Sequence, residues 1–207
     1  MNYYKPLIFD TFYHVYNHGN NQDNIFLEEN NYPFFLEKIM KYLFPVMDIY
    51  CYNLLKNHFH LLIKVKTENE IKLQSELSCT EKKVPFRMLD VSKQFSDLFN
   101  SYSKSINKKY SRRGSLFTEN FKRVEIKTDN KFSQLIGYIH TNAQHHKMVD
   151  DFRDWTHNSY NQILNENNSF VKSNEVLKWF GNIDEYVKFH LDFSKSIKQD
   201  HRWIEKF

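Results

Sequence analysis

The stretch from Asp48 to Lys66 constrains this chain more than any other. Two runs, Asp48 to Leu55 and His58 to Lys66, are separated only by Lys56 and Asn57, so they read as two strands joined by a tight turn. Successive side chains on a strand point to opposite faces. In the second run Phe59, Leu61, Ile63 and Val65 therefore make an apolar face, and His58, His60, Leu62 and Lys64 make the other. The two histidines project together.

The flanking segments extend the pattern. Phe12, His14 and Tyr16 alternate with Tyr13 and Val15 from Thr11 to Asn17, a short aromatic strand ending in the turn cluster Asn17-His18-Gly19-Asn20-Asn21. Pro33 suits a helix start, and Phe35, Leu36, Ile39, Met40 and Leu43 repeat at helical spacing up to Pro45. Thr67 to Pro85 is polar and reads as a connection with a short helix. From Leu89 to Tyr110, Val91, Phe95, Leu98, Phe99, Tyr102 and Ile106 form a helical stripe, stopped by Arg112-Arg113-Gly114. A strand pair is expected at Ser115 to Phe117 and Phe121 to Ile126. The helix from Lys131 to Met148 buries Phe132, Leu135, Ile136, Ile139 and Ala143, and sets Gln134, Tyr138, Asn142 and His145 in one row on its polar flank. Trp155 and Tyr160 follow, then helices near Asn174 to Phe180 and Ile183 to Phe193.

This order predicts an α+β fold: a mainly antiparallel sheet of ferredoxin-like or RRM-like type, with helices packed on one face and further helices at the C-terminus. With 207 residues, one domain is expected, residues 1–164, with 165–207 as a helical extension of it. Four Gly and four Pro argue against a turn-rich β-sandwich, and no glycine-rich phosphate loop is present. Cys51 and Cys79 are too few for a disulfide framework or a cysteine zinc site, which suggests a reducing, cytoplasmic setting. No run approaches the roughly 18 apolar residues of a membrane span, so no membrane partner is expected.

The net charge of +4 hides an uneven distribution. Between Lys104 and Arg123 seven bases, among them Lys108, Lys109, Arg112, Arg113, Lys122 and Arg123, face one acid, Glu119. Tyr102, Tyr110, Phe117 and Phe121 interleave with them, a mixture suited to phosphate contacts and base stacking; a solvated helix end is the plainer reading.

His58, His60, Tyr138 and Asn142 each have an ordinary reading when taken singly. Together, two imidazoles and the Asn142 amide oxygen make three ligands for a divalent ion, and Tyr138, one helical turn before Asn142, brings a hydroxyl beside it. That combination suits phosphoryl transfer, with magnesium or manganese as the ion. His145, on the same flank, is a candidate base, beside its reading as a surface histidine.

At these residues the chain resembles the HUH-class single-tyrosine transposases, in the branch of REP-associated tyrosine transposases. Asn57-His58-Phe59-His60-Leu61-Leu62-Ile63 is similar to the HUH motif, and Tyr138-Ile139-His140-Thr141-Asn142 to the tyrosine helix. Tyr13 to Asn21 resembles the N-terminal signature, with His18 where the family usually has Arg. Arg113 to Phe117, Phe121-Lys122 and Trp155 to Tyr160 extend the likeness over Phe12 to Tyr160. One departure is Ala143, where proline commonly follows the Asn. The resemblance implies cleavage of single-stranded or hairpin DNA by Tyr138 through a 5′-phosphotyrosine link, then rejoining, by one chain or a homodimer. A domesticated hairpin-binding protein and a nonenzymatic nucleic-acid-binding domain are the alternatives.

Overall fold

The computed structural model describes residues 6–77, 90–165 and 170–199; Cys79 and the end of the polar connection lie outside them. The elements run β1 (Phe12–His18), α1 (Asn31–Tyr42), β2 (Met47–Leu55), β3 (His58–Val65), α2 (Glu68–Leu77), α3 (Val91–Lys109), β4 (Lys122–Glu125), α4 (Asp129–His145), α5 (Tyr160–Leu164), α6 (Ser173–Phe180) and α7 (Ile183–Gln199). The four strands pair in the order β2-β3-β1-β4, antiparallel throughout. This is the βαββαβ arrangement of the ferredoxin-like class, as expected.

The apolar face of β3 explains why α1 and α3 lie where they do. Phe59 meets Phe35 of α1 at 5.3 Å between ring centroids and Phe99 of α3 at 5.8 Å, and Tyr102 closes on Phe35 at 4.8 Å. These rings are largely buried, and removing one such ring costs about 3–5 kcal/mol. Gly19 is required at the end of β1, because a Cβ there would stand 1.9 Å from the Asp23 carbonyl oxygen. The same residue holds the hairpin turn, its N–H donating to the Asn57 carbonyl at 2.7 Å.

Three sequence expectations change in detail. Ser115 to Phe117 is not a strand: Phe117 makes one bridge to Gly19, and both Leu116 and Phe117 are buried, Phe117 against the Phe99 ring of α3 at 4.9 Å. Helices also cover both sheet faces, α1 and α3 on one and α4 on the other, where Asn53 Nδ2 of β2 donates to the Ile139 carbonyl at 2.7 Å. Tyr138 and Asn142 of the supposed polar flank of α4 are consequently buried against the sheet, and because α7 packs on the other side of the helix, at Gly137 and His140, every residue from Leu135 to Ala143 is inside. A Cβ on Gly137 would meet Phe189 and Phe193 at 2.9 Å. No helix among the described residues is long and apolar enough to cross a membrane.

Candidate active site on the histidine face

Strand register gathers the site. His18 pairs with His58 and Tyr16 with His60, so the even-numbered side chains of β1 stand on the histidine face of β3, and Lys122 of β4, opposite Tyr16, joins them. The rings form a continuous cluster: His18 stacks on His58 at 4.9 Å, Tyr16 on His60 at 5.7 Å, and His14 on His60 at 5.1 Å. His146, the residue that closes α4, brings its ring to 5.1 Å from His58. Half of the chain's ten histidines thus meet in one cluster.

From the opposite side α4 delivers Tyr138 and Asn142. The Tyr138 ring stands edge-on to His60 at 5.4 Å, and Asn142 Oδ1 lies 3.4 Å from His58 Nε2. All four residues predicted from sequence to form the centre therefore converge, and all come from one chain. His58 Nδ1 sits 2.7 Å from Asn57 Oδ1, which can only accept, so the ring proton is on Nδ1. His58 Nε2 and Asn142 Oδ1 then turn lone pairs toward each other, an arrangement satisfied by a cation between them or by a turned Asn142 amide, whose Nδ2 has no other hydrogen-bond partner among the described residues. Their separation suits neighbouring ligands about 2.1–2.4 Å from a shared ion.

Electrostatics support the neutral, ligating form of both rings. Burial, then the proximity of His18 and His146, pushes His58 down to about 3, and burial with His14 and His58 beside it holds His60 well below the ordinary histidine range. His18 is lowered by burial, Lys122 and His146. Burial raises the Tyr138 phenol above its usual value, and the nearby Asn142 amide acts in the opposite direction. The phenol is therefore protonated at neutral pH until something lowers it. Among the described residues no group of three His, Cys, Asp or Glu side chains is arranged to hold a metal, so the set depends on the Asn142 amide.

The basic residues divide. Lys122 lies 5.7 Å from the Tyr16 ring, on the histidine face, whereas Arg123 pairs with Val15, points to the other face and lies over Phe121 at 4.9 Å. Lys108 and Arg113 are exposed at the end of α3. Lys109 is ion-paired with Glu28, and Arg112 Nη2 lies 2.7 Å from Asp23. Sequence reasoning missed His14, His18 and His146. The alternation of β1 carried the signal for the first two, but only the register against β3 shows which face they share.

No protein-family model matches the sequence, and no curated protein does. Among solved structures, a REP-associated tyrosine transposase bound to a REP hairpin aligns with 80% of this chain and 86% of its own, at TM-score 0.59 and 14% identity. This chain has that protein's fold. A bacterial tRNA(His) guanylyltransferase-like protein in complex with GTP aligns at TM-score 0.40 and 11% identity, too low a value to indicate a shared fold.

Proposed function

We propose that this protein is a single-tyrosine transposase-like enzyme that cleaves and rejoins single-stranded DNA, with Tyr138 as nucleophile. His58, His60 and Asn142 would hold a divalent ion, magnesium or manganese. The observation that carries the reading is the 3.4 Å approach of Asn142 to His58, which sets a tyrosine-bearing helix on a histidine pair 84 residues away in sequence. The ordered motifs, and the fold shared with a transposase that binds a REP hairpin, support a hairpin-bearing strand as substrate.

In this reading the Tyr138 hydroxyl oxygen attacks phosphorus, the bond to the 3′-oxygen breaks, and a 5′-phosphotyrosine forms. The phenol loses one proton and the departing 3′-oxygen gains one, so the step is balanced, and its reversal by another 3′-hydroxyl rejoins the strand without a nucleotide. When bound, the ion would polarise and align the scissile phosphate. Burial of Tyr138 against His60 limits the phenol to a few orientations. Lys122 and Tyr16, at the margin of the cluster, offer a cation and a ring to the approaching strand.

Incubation with labelled single-stranded hairpin DNA and manganese is expected to give a covalent protein–DNA adduct. EDTA and His58→Ala should each reduce it strongly. An adduct that forms equally well in EDTA contradicts the metal part of the proposal.

A further inference from the structure

The two histidines of the centre are held differently. Asn57 Oδ1 faces His58 Nδ1 and so places its proton there, whereas His60 Nδ1 lies 2.9 Å from Nε2 of His14, on the neighbouring strand. Both rings are buried, at 1% exposure for His14 and 4% for His60. Their planes lie 22° apart, and Tyr16 stacks on both, so neither ring turns freely. The contact follows from register: His14 pairs with Leu62, which makes it the diagonal neighbour of His60 on the same face.

A neutral imidazole carries one N–H, so across this contact one ring donates and the other accepts. If His14 donated, the proton of His60 would sit on Nε2 and that nitrogen would have no lone pair to offer. If His60 donates, Nε2 is left as a ligand, as Nε2 of His58 is. We propose that His14 is a positioning residue: its Nε2 accepts the Nδ1 proton of His60 and so holds that ring in the tautomer and orientation that ligate the ion. His14 then does for His60 what Asn57 does for His58, through a histidine rather than an amide. Ligand histidines ordinarily donate their second nitrogen to a carboxylate, a backbone carbonyl or water, and losing that partner weakens metal binding about 10–100-fold.

The inference rests on the metal-site reading above, and two measurements on the full chain separate the two. The first is nitrogen-15 NMR of the metal-free protein, which reports the protonated nitrogen of each histidine. His60 is expected as the Nδ1–H tautomer in the wild type, and as the Nε2–H tautomer, or a mixture, in His14→Phe. The second is manganese titration: His14→Phe should bind about 10–100-fold more weakly than wild type. His14→Gln, whose amide oxygen can take the place of the acceptor, should stay within a few-fold. Nε2–H on His60 in the wild type overturns the proposal without any variant, even if His14→Phe fails to fold. Unchanged manganese binding in His14→Phe, with His60→Ala abolishing it, overturns the role of His14 and leaves the metal site standing. A wild type that takes up no manganese overturns both.

Discussion

Gly137 shows how single residues set the position of the tyrosine. Alanine there favours a helix by about 1 kcal/mol, but its Cβ would press on the Phe189 and Phe193 rings at 2.9 Å, and overpacking of that kind costs about 1–3 kcal/mol. Gly137→Ala is therefore expected to lower stability by about 1 kcal/mol in urea unfolding; a more stable variant would mean that α7 does not press on α4. The pairing of His58 with His60 was legible because a strand has period two, and that of Tyr138 with Asn142 because a helix turn spans four residues. His14, His18 and His146 were not, since their place depends on which residues face each other across strands and where α4 stops.

Between elements, a buried chain of hydrogen bonds ties α4 to α7 and to the sheet. His190 Nδ1 donates to the Tyr186 carbonyl at 2.7 Å, and His190 Nε2 faces His140 Nδ1 at 2.9 Å. His140 Nε2 faces Ser159 Oγ, also at 2.9 Å, and Ser159 Oγ accepts the Tyr52 N–H of β2. The pattern closes with every ring neutral. Burial pushes His190 down to about 4, against about 6.5 in an unfolded chain. The unfolded chain therefore gains a proton first on acidification, so stability held above pH 6.5 falls on the order of 1 kcal/mol per pH unit toward pH 4, then levels. His190→Gln should flatten that part of the profile when urea midpoints are compared at about pH 7.5 and about pH 5. Equal acid losses in both proteins would show that His190 is not the group responsible. None of this network was visible in sequence, where α7 read only as part of a helical extension. Its histidine and aromatic residues gain meaning only once they pack on α4. The misassigned strand at Ser115 to Phe117 has a related cause: alternation predicts pairing, but Phe117 is buried against the rings of Phe35, Phe99 and Tyr102 on α1 and α3 and makes only one bridge, to Gly19.

For the whole molecule, the modest charge of +4 means that the proposed DNA binding would fall to local clusters, and the structure ranks them. Lys122 stands with the histidine cluster, whereas Arg112 is held by Asp23. Lys122→Ala should reduce the slope of log affinity against log salt for single-stranded DNA by about 1, and Arg112→Ala by less. The reverse order would move the DNA path to the end of α3. Architecture was the most legible level, since the order of strands and helices leads directly to the ferredoxin-like sheet, while placing α4 on the second face required the packing itself. That placement underlies the central claim, that a tyrosine from α4 attacks DNA bound at the histidine face. The most direct test is to form the adduct with hairpin DNA and manganese, digest it, and locate the modified residue by peptide mass. The account predicts a nucleotide on Tyr138 and no adduct from Tyr138→Phe, which should still fold and bind DNA. An adduct on another residue, or one that survives Tyr138→Phe, would contradict it.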